Sequence, residues 1–90
     1  METIEKAALF PPNPSHGYIS VPRPGRHHNV IQGMVEWGYT SADIAQSVQG
    51  FVTSTGRFVD RFEAYRIATA AGQIKEKTYP LDKLFSEDIW

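Results

Sequence analysis

The sequence of 90 residues predicts one α+β domain spanning residues 1–90, because helical and strand-like patterns alternate along a chain long enough for a single core. Three observations support this fold class: a hairpin signal around a Ser-Thr-Gly turn, an amphipathic helix before it and a capped helix after it. Together they predict a small sheet accompanied by two main α-helices.

The N-terminal segment, residues 1–25, is rich in proline and carries two short predicted strands. The first strand is Ile4–Phe10, and the run PPNP at 11–14 ends it, because proline fixes φ and lacks the N–H donor that a sheet needs. The second strand lies within His16–Val21, before the run VPRPG interrupts the chain again.

The first helix is predicted over Arg26–Gly38, where apolar residues recur with the helical period and Gly38 is a natural stop. Its apolar side consists of Val30, Ile31, Met34, Val35 and Trp37. After it, the run TSAD at 40–43 has the form of a capping box, which predicts a brief helical turn over Ala42–Ser47.

A hairpin and a second helix follow. Val48–Thr53 is rich in β-forming residues, and Arg57–Val59 returns as its partner after the turn. Asp60 is predicted as the N-cap of the helix, with Glu63 completing a D-x-x-E capping signal. The helix is expected to end at Gly72 and to bury Phe62, Ala64, Ile67, Ala68 and Ala71.

The C-terminal part of the sequence predicts an edge strand and a docking tail. Gln73–Lys77 alternates weakly, as an edge strand with solvated lysines does. Residues 81–90 form a tail that is expected to dock on the body or on a neighbouring subunit, because its large apolar side chains would otherwise lie in water. Those side chains are Leu84, Phe85, Ile89 and Trp90. A chain this short gains stability from further burial, so a homo-oligomer is expected.

Composition excludes several classes of protein. Hydrophobic residues make up 41% and aromatic residues 12%, as in a globular protein. The formal net charge of −1 provides no field that would steer binding to a DNA or RNA polymer. The absence of cysteine excludes disulfides and thiolate metal sites and fits a reducing cytosol. We expect no signal peptide, because residues 1–10 carry Glu2 and Glu5 and lack a cationic flank followed by an apolar run. We also expect no membrane span, since no apolar run approaches ~20 residues.

Neither a metal site nor an active site is predicted. His27 and His28 are adjacent, and adjacent side chains on a helix point about 100° apart, so they do not readily share one ion. His16 is the remaining histidine, and no carboxylates are arranged near it in sequence. The chain has no nucleophile elbow, no GKS/T phosphate loop and no paired-carboxylate pattern. We therefore expect a protein without cofactor that is not an enzyme.

Arginines mark two helix starts as candidate anion sites. Arg26 begins the first predicted helix, with His27 beside it, where backbone N–H groups and the helix dipole favour an anion. Arg57 and Arg61 flank Asp60 at the start of the second helix. Arg26 could instead be a solvated arginine, and Arg57 and Arg61 could simply neutralise the charge of the Asp60 cap. Their convergence favours binding of phosphate.

Phe51 has two interpretations. At its position an aromatic residue is most often part of the core, and its ring is equally suited to stack on a nucleotide base. Hydroxyl and carboxylate groups nearby in sequence are suited to contact ribose. The candidate ligand-binding residues are therefore Arg26, His27, Phe51, Thr53, Ser54, Arg57, Asp60 and Arg61.

Three blocks of the sequence resemble a known family. They are GFVTSTGRFVDRFEAYRIATAAGQI, the terminal LFSEDIW and the helix start PGRHHNVI. In these blocks the chain is similar to the Thoeris anti-defence protein one family, over most of the length after Pro22. Members of that family are phage-encoded sponges. They bind the cyclic ADP-ribose isomer made by a bacterial TIR-domain enzyme and hold it without degrading it.

The resemblance implies a small antiparallel sheet with two helices and a ligand pocket at a subunit interface. It implies ligand contacts from an arginine at the first helix start and an aromatic residue in the next strand, positions that match Arg26 and Phe51. An amide expected near the second helix start is replaced by Asp60 or Arg61. Further implied are a dimer or a higher homo-oligomer such as a hexamer, binding of cyclic di- or trinucleotides, and a location in the cytoplasm of the infected bacterial host.

A small protein-interaction module that blocks a host protein surface is the alternative function. Tryptophan and tyrosine are common anchors of protein interfaces, and this chain places several aromatic residues outside the predicted hairpin. These residues are Trp37, Tyr39, Phe85 and Trp90.

Overall fold

The computed structural model describes residues 1–12, 17–77 and 82–90. The strands in this part of the chain are β1 (Ile4–Phe10), β2 (Ile19–Pro22), β3 (Val48–Thr53) and β4 (Phe58–Asp60). The helices are α1 (His27–Glu36), α2 (Ser41–Gln46), α3 (Arg61–Ala70) and a 3-10 helix (Ser86–Asp88). The strands form one antiparallel sheet in the order β2-β1-β3-β4, which confirms the α+β class.

The sheet is built around β1, which pairs with β2 on one side and with β3 on the other. The predicted strand Ile4–Phe10 is confirmed with the same bounds. The second strand lies at Ile19–Pro22, at the C-terminal end of the predicted range. Residues 13–16, including His16, lie outside the described part of the chain.

One face of the sheet packs against α1 and α3 and forms the core. Ala7, Phe51 and Val59 lie opposite one another in register, so their side chains share a face. Helix α1 contributes Val30 and Met34 to this core. The complete buried cluster consists of Ile4, Ala7, Leu9, Val30, Met34, Phe51, Val59, Ala64, Ala68, Leu84 and Ile89.

The opposite face carries an aromatic cluster over Gly50. The ring centroids of Phe10 and Phe58 lie 5.3 Å apart, and those of Tyr18 and Phe58 lie 6.1 Å apart. A Cβ atom at Gly50 would collide with the backbone oxygen of Val59 and lie 2.7 Å from Cζ of Phe58. Glycine is therefore required where β3, β4 and this ring meet.

Local signals account for the caps of α1 and α2. Gly38 follows α1 with φ +93°, the left-handed conformation expected of the predicted stop. The capping box predicted at TSAD is confirmed: the Thr40 hydroxyl accepts from the Asp43 backbone N–H at 3.1 Å, and the Asp43 carboxylate accepts from the Thr40 N–H at 3.3 Å. This capped segment is α2, which begins one residue before the predicted turn.

The cap of α3 is confirmed on one side only. The Asp60 carboxylate accepts from the Glu63 backbone N–H at 2.9 Å, and Gly72 ends the helix with φ +68°. The predicted return bond from Glu63 is absent among the described contacts. Its carboxylate instead lies 3.3 Å from Arg66 and 3.7 Å from Arg57.

The buried side of α3 differs from the predicted one. Ala64 and Ala68 are fully buried, as predicted, but Phe62 is 43% exposed. Phe62 and Ala64 are two positions apart, which separates their side chains by about 200° around a helix. Both cannot face the sheet, and the small alanine is the residue that does.

The predicted edge strand Gln73–Lys77 is wrong, because this segment forms no strand in the structure. The Gln73 amide pairs with β1 instead: the Ile4 N–H donates to its oxygen at 2.8 Å, and its NH2 group donates to the Ile4 carbonyl at 3.0 Å. The backbone N–H groups of Lys75 and Glu76 donate to the Asp88 carbonyl. The Gln73 side chain therefore occupies the backbone groups of Ile4, and the Asp88 carbonyl of the tail accepts from the backbone of 75–76, in place of the hydrogen bonds of a strand pair.

The tail packs on the body of its own chain. Leu84 is fully buried and Ile89 is 5% exposed, and both belong to the core. The buried Asp88 carboxylate lies 3.2 Å from Nζ of Lys77 and accepts from the Phe85 N–H at 2.8 Å. Packing against the body thus buries Leu84 and Ile89 and partly buries Phe85 and Trp90. No helix in the described ranges is long and apolar enough to cross a membrane.

Candidate ligand site

An open depression lies beside the first turn of α3. The register that pairs Gly50 with Asp60 brings the start of β3 next to the start of α3, and the tail closes the third side. The depression has a volume of about 370 Å³, within the range of about 300–1,000 Å³ usual for small-molecule sites. Its walls are formed by Ser47, Val48, Gln49, Asp60, Arg61, Phe62 and Lys83.

Arg61 is the central cation of this depression. Its Nη2 donates to the side-chain oxygen of Gln49, and its guanidinium lies 4.7 Å from the centroid of the Phe85 ring. Its Nε is buried and donates to no acceptor in the described part of the chain. Burial lowers the pKa of Arg61, while Glu87 opposes that shift. An anionic oxygen near Nε would satisfy a buried donor that the protein leaves open.

Lys83 and Phe62 form the outer wall. Nζ of Lys83 lies 5.4 Å from the centroid of the Phe62 ring, a cation–π arrangement, and that ring is 43% exposed. Asp60 contributes the opposite charge, but one of its oxygens already accepts from the backbone of α3. The walls therefore combine two cations with an exposed ring and an amide, which suits a ligand bearing an anionic group and a flat base.

Arg57 lies outside the depression, at the tip of the hairpin, where it forms an ion pair with Glu2. Its Nε and Nη2 donate to the two carboxylate oxygens of Glu2, both at 2.8 Å. These bonds, with hydrogen bonds from Thr53 and Thr55, lower the pKa of Glu2 to about 2. The Arg57 guanidinium therefore holds the residues before β1 against the hairpin.

Thr53 and Ser54 also serve this junction. The hydroxyls of Thr53 and Thr55 lie 2.9 Å apart. The Thr3 N–H donates to the Ser54 hydroxyl at 3.0 Å, and the Ser54 N–H donates to the Thr3 carbonyl at 2.8 Å. Their polar groups are used by the protein itself in this structure.

Phe51 and His27 lie between α1 and the sheet. Phe51 is fully buried, with the His27 ring edge-on at a centroid distance of 4.9 Å. Nε2 of His27 donates to the Gly50 carbonyl at 2.8 Å. Burial lowers the pKa of His27, and this carbonyl opposes the shift. Of the two interpretations of Phe51, the structure favours the core residue, because no face of its ring is open.

Arg26 contacts the tail. Its Nη2 donates to the backbone oxygen of Trp90 at 2.7 Å. The Trp90 indole lies edge-on to Phe51 at a centroid distance of 6.3 Å. Arg26 therefore belongs with His27 and Phe51 in a second group, away from the residues that line the depression.

The sequence-predicted residues thus fall into three places. Only Asp60 and Arg61 lie in the depression. Sequence reasoning missed the other five lining residues, which are Ser47, Val48, Gln49, Phe62 and Lys83. Gln49 lies two positions before Phe51 in the same strand, so strand alternation was a usable signal for it. Lys83 carried no such signal, since its position depends on the tail folding back.

The described ranges contain no group of three His, Asp or Glu side chains that could hold a metal ion. His27 is engaged by the Gly50 carbonyl, and His28 is exposed on α1. His16 belongs to the residues outside the description.

Comparison with known families gives one match. A family model described as Phage T4 y16D protein matches residues 3–90, nearly the whole chain. The chain therefore belongs to this phage protein family. No curated protein and no solved structure matches the chain significantly.

Proposed function

We propose that this member of the phage T4 y16D protein family binds a cyclic nucleotide immune signal and holds it without cleaving it. The signal would be a cyclic ADP-ribose isomer or a related cyclic di- or trinucleotide, kept from its defence effector in the cytoplasm of the infected bacterium. One observation carries the proposal: two cations, an amide and an exposed ring border a single depression at the start of α3. The resemblance of three sequence blocks to the Thoeris anti-defence protein one family supports the ligand class, although the contacts it implies, Arg26 and Phe51, lie outside this depression.

The chemistry of the walls suits such a ligand. The guanidinium of Arg61, whose buried Nε has no acceptor in the described part of the chain, and the ammonium of Lys83 are donors for phosphate oxygens. Phe62 offers a face on which a base can stack. The NH2 group of Gln49 and the carboxylate of Asp60 suit base edges and ribose hydroxyls. Holding a signal requires no general acid or base, so we propose that the protein is not an enzyme.

Assembly is part of the proposal. Two apolar side chains at the rim remain exposed, Val48 at 51% and Phe62 at 43%. A second copy that covered them would deepen the depression and exclude water from the phosphate contacts. We therefore expect a homo-oligomer, a dimer or a higher assembly such as a hexamer, with the ligand near a subunit interface.

Retention of intact ligand is the direct test. The purified protein is mixed with cyclic ADP-ribose isomers or cyclic dinucleotides, separated from free ligand by filtration and then heated. Mass spectrometry of the heated supernatant should show the intact nucleotide. Lys83→Ala should lower the retained amount, whereas Lys75→Ala, at an exposed lysine away from the depression, should not. If the protein retains no nucleotide, or if heating releases a cleaved product, the proposal is contradicted.

A protein-blocking function is the second candidate, and one surface favours it. Val35 is 59% exposed and Trp37 is 69% exposed at the C-terminal end of α1. Exposed tryptophan is typical of interface anchors. The two functions separate in one variant: Trp37→Ala should leave nucleotide retention unchanged under the first proposal. If that variant abolishes protection of the phage while retention persists, protein blocking is the function.

A further inference from the structure

One amide in the depression at α3 is held in a single orientation. Nη2 of Arg61 donates to the side-chain oxygen of Gln49. Arg61 is itself fixed, because its carbonyl accepts from the Leu84 N–H at 3.0 Å and the centroid of the Phe85 ring lies 4.7 Å from its guanidinium. The Gln49 oxygen is therefore occupied. The NH2 group of Gln49 donates to no acceptor in the described part of the chain, so this amide offers a ligand a donor.

Asp60 provides acceptors beside this donor. It pairs with Gly50 in the sheet register, next to Gln49 in sequence, and the side chains of Asp60 and Gln49 both border the depression. One Asp60 oxygen accepts from the Glu63 backbone N–H at 2.9 Å, which fixes the carboxylate at the first turn of α3. The other oxygen has no donor among the residues that the structure describes. A carboxylate accepts and does not donate, so a ligand meets one donor and one acceptor group on the same wall.

The two purine bases match such a wall differently. Guanine carries an oxygen at position 6 that accepts, beside an N1–H and a 2-amine that donate. With O6 at the Gln49 NH2 group, both of these donors face the Asp60 carboxylate. In the same position adenine turns its 6-amine toward the Gln49 NH2 group and the lone pair of N1 toward the carboxylate. Polar groups that lose water without gaining a partner cost free energy, so adenine should bind more weakly.

We propose that the depression at α3 selects guanine over adenine, with Gln49 and Asp60 as the residues that recognise the base. This selection rests on the proposed function, since it concerns the nucleotide that the depression would hold. It narrows the ligand to a cyclic di- or trinucleotide that contains guanine, in place of a cyclic ADP-ribose isomer, whose base is adenine. The other groups keep their proposed roles, with Phe62 as the stacking ring and with Nε of Arg61 and the Lys83 ammonium as donors to phosphate.

Three cyclic dinucleotides with the same ring of sugars and phosphates test the selection without any change in the protein. Isothermal titration should show cyclic di-GMP bound at least about tenfold more tightly than cyclic di-AMP, as expected for hydrogen bonds to a charged acceptor. Cyclic di-IMP lacks only the 2-amine of guanine and should bind with intermediate affinity.

The outcomes separate the selection from the proposed function. Equal affinities for cyclic di-GMP and cyclic di-AMP, or tighter binding of cyclic di-AMP, would overturn the selection and leave the proposed function intact. If none of the three ligands binds, the selection is also overturned. The proposed function then fails with it only if the filtration assay retains no cyclic ADP-ribose isomer either.

Asp60→Asn tests the acceptor while keeping the helix cap. Asparagine caps a helix about as well as aspartate, so the variant should melt near the parent temperature. Loss of one negative charge acts on both ligands alike, so the readout is the ratio of the cyclic di-GMP and cyclic di-AMP affinities, which should fall toward one. Asp43→Asn removes the same charge at the cap of α2, outside the depression, and should keep the parent ratio. A parent ratio in Asp60→Asn would overturn the inference.

Gln49→Glu tests the donor from a different element, and it remains informative if Asp60→Asn fails to fold. The variant keeps an oxygen for Arg61 but replaces the NH2 group by a second oxygen, which repels O6 of guanine and accepts from the 6-amine of adenine. The affinity ratio should therefore fall here as well. Gln32→Glu, at an exposed position of α1, is the matched control and should keep the parent ratio. An unchanged ratio in a folded Gln49→Glu would also overturn the inference.

Discussion

Nε2 of His27 lies 2.8 Å from the Gly50 carbonyl, so the first turn of α1 is hydrogen-bonded to the interior of the sheet. The ring is 7% exposed, and burial lowers the pKa of His27 below its ordinary value of 6.5. The charges that act on it are Arg61, which lowers the pKa further, and Glu87, which raises it.

This depressed pKa predicts loss of stability on acidification. The unfolded chain binds more protons than the folded chain between the folded pKa and 6.5, so stability is full above pH 6.5 and falls as pH drops through that window. Urea unfolding at pH 7.5 and 5.5 measures the difference. His27→Gln should flatten it, and His28→Gln, at an exposed position, should not. If the parent and His27→Gln lose the same free energy of unfolding between pH 7.5 and 5.5, His27 is not the source of the acid sensitivity.

The pair formed by Arg57 and Glu2 predicts a second acid transition at lower pH. The pKa of Glu2 is lowered from 4.5 to about 2. Its stabilising effect is therefore present above pH 4.5 and is lost as pH falls toward 2. Glu2→Gln should lower Tm at pH 7, with the difference vanishing near pH 2. Glu36→Gln is the matched control, at an exposed glutamate of α1. A Tm difference that persists unchanged at low pH would contradict the assignment.

A pair of glycines predicts opposite effects of the same substitution. Gly50→Ala places a methyl group against the Val59 carbonyl and the Phe58 ring and should cost about 1–3 kcal/mol. Gly33 lies within α1, with nothing within 4 Å of an added Cβ, so Gly33→Ala should add about 0.8–1.0 kcal/mol of stability. Chemical denaturation of both variants measures the signs. If both variants change the free energy of unfolding equally, the neighbours of Gly50 can move apart to accommodate a methyl group without strain.

Two phenylalanines separate core from ligand contact. Phe51→Ala should cost roughly 3–5 kcal/mol of stability because the ring is fully buried. Phe62→Ala should change stability little and, under the proposed function, should weaken nucleotide binding by about 1–3 kcal/mol. Thermal melts and titration calorimetry give both numbers. Loss of binding in a stably folded Phe51→Ala, with Phe62→Ala unaffected, would restore Phe51 as the stacking residue.

Local signals in the sequence were enough to predict the fold class and several element boundaries. Strand β1 has the predicted bounds, because prolines end it, and the capping box of Thr40 and Asp43 forms within four residues. The candidate site was less predictable, because its geometry depends on distant partners. Arg57 pairs with Glu2, 55 residues away in sequence, and Gln73 pairs with Ile4, 69 residues away. Helix propensity and strand alternation carry no information on such pairs.

Under the proposed function, the two alanines on the buried side of α3 have a consequence for the speed of ligand capture. Ala64 and Ala68 are fully buried and let the backbone of the helix lie close to the sheet, while Tyr65 and Ile67 of the same helix also pack against the core. We expect this packing to hold the first turn, which carries Arg61, in place before the proposed ligand binds. Binding to such a wall involves no slow rearrangement, so the association rate would be limited by encounter. Under the proposed function, a protein that intercepts a scarce signal before its receptor does would gain more from rapid encounter than from a slow closing motion.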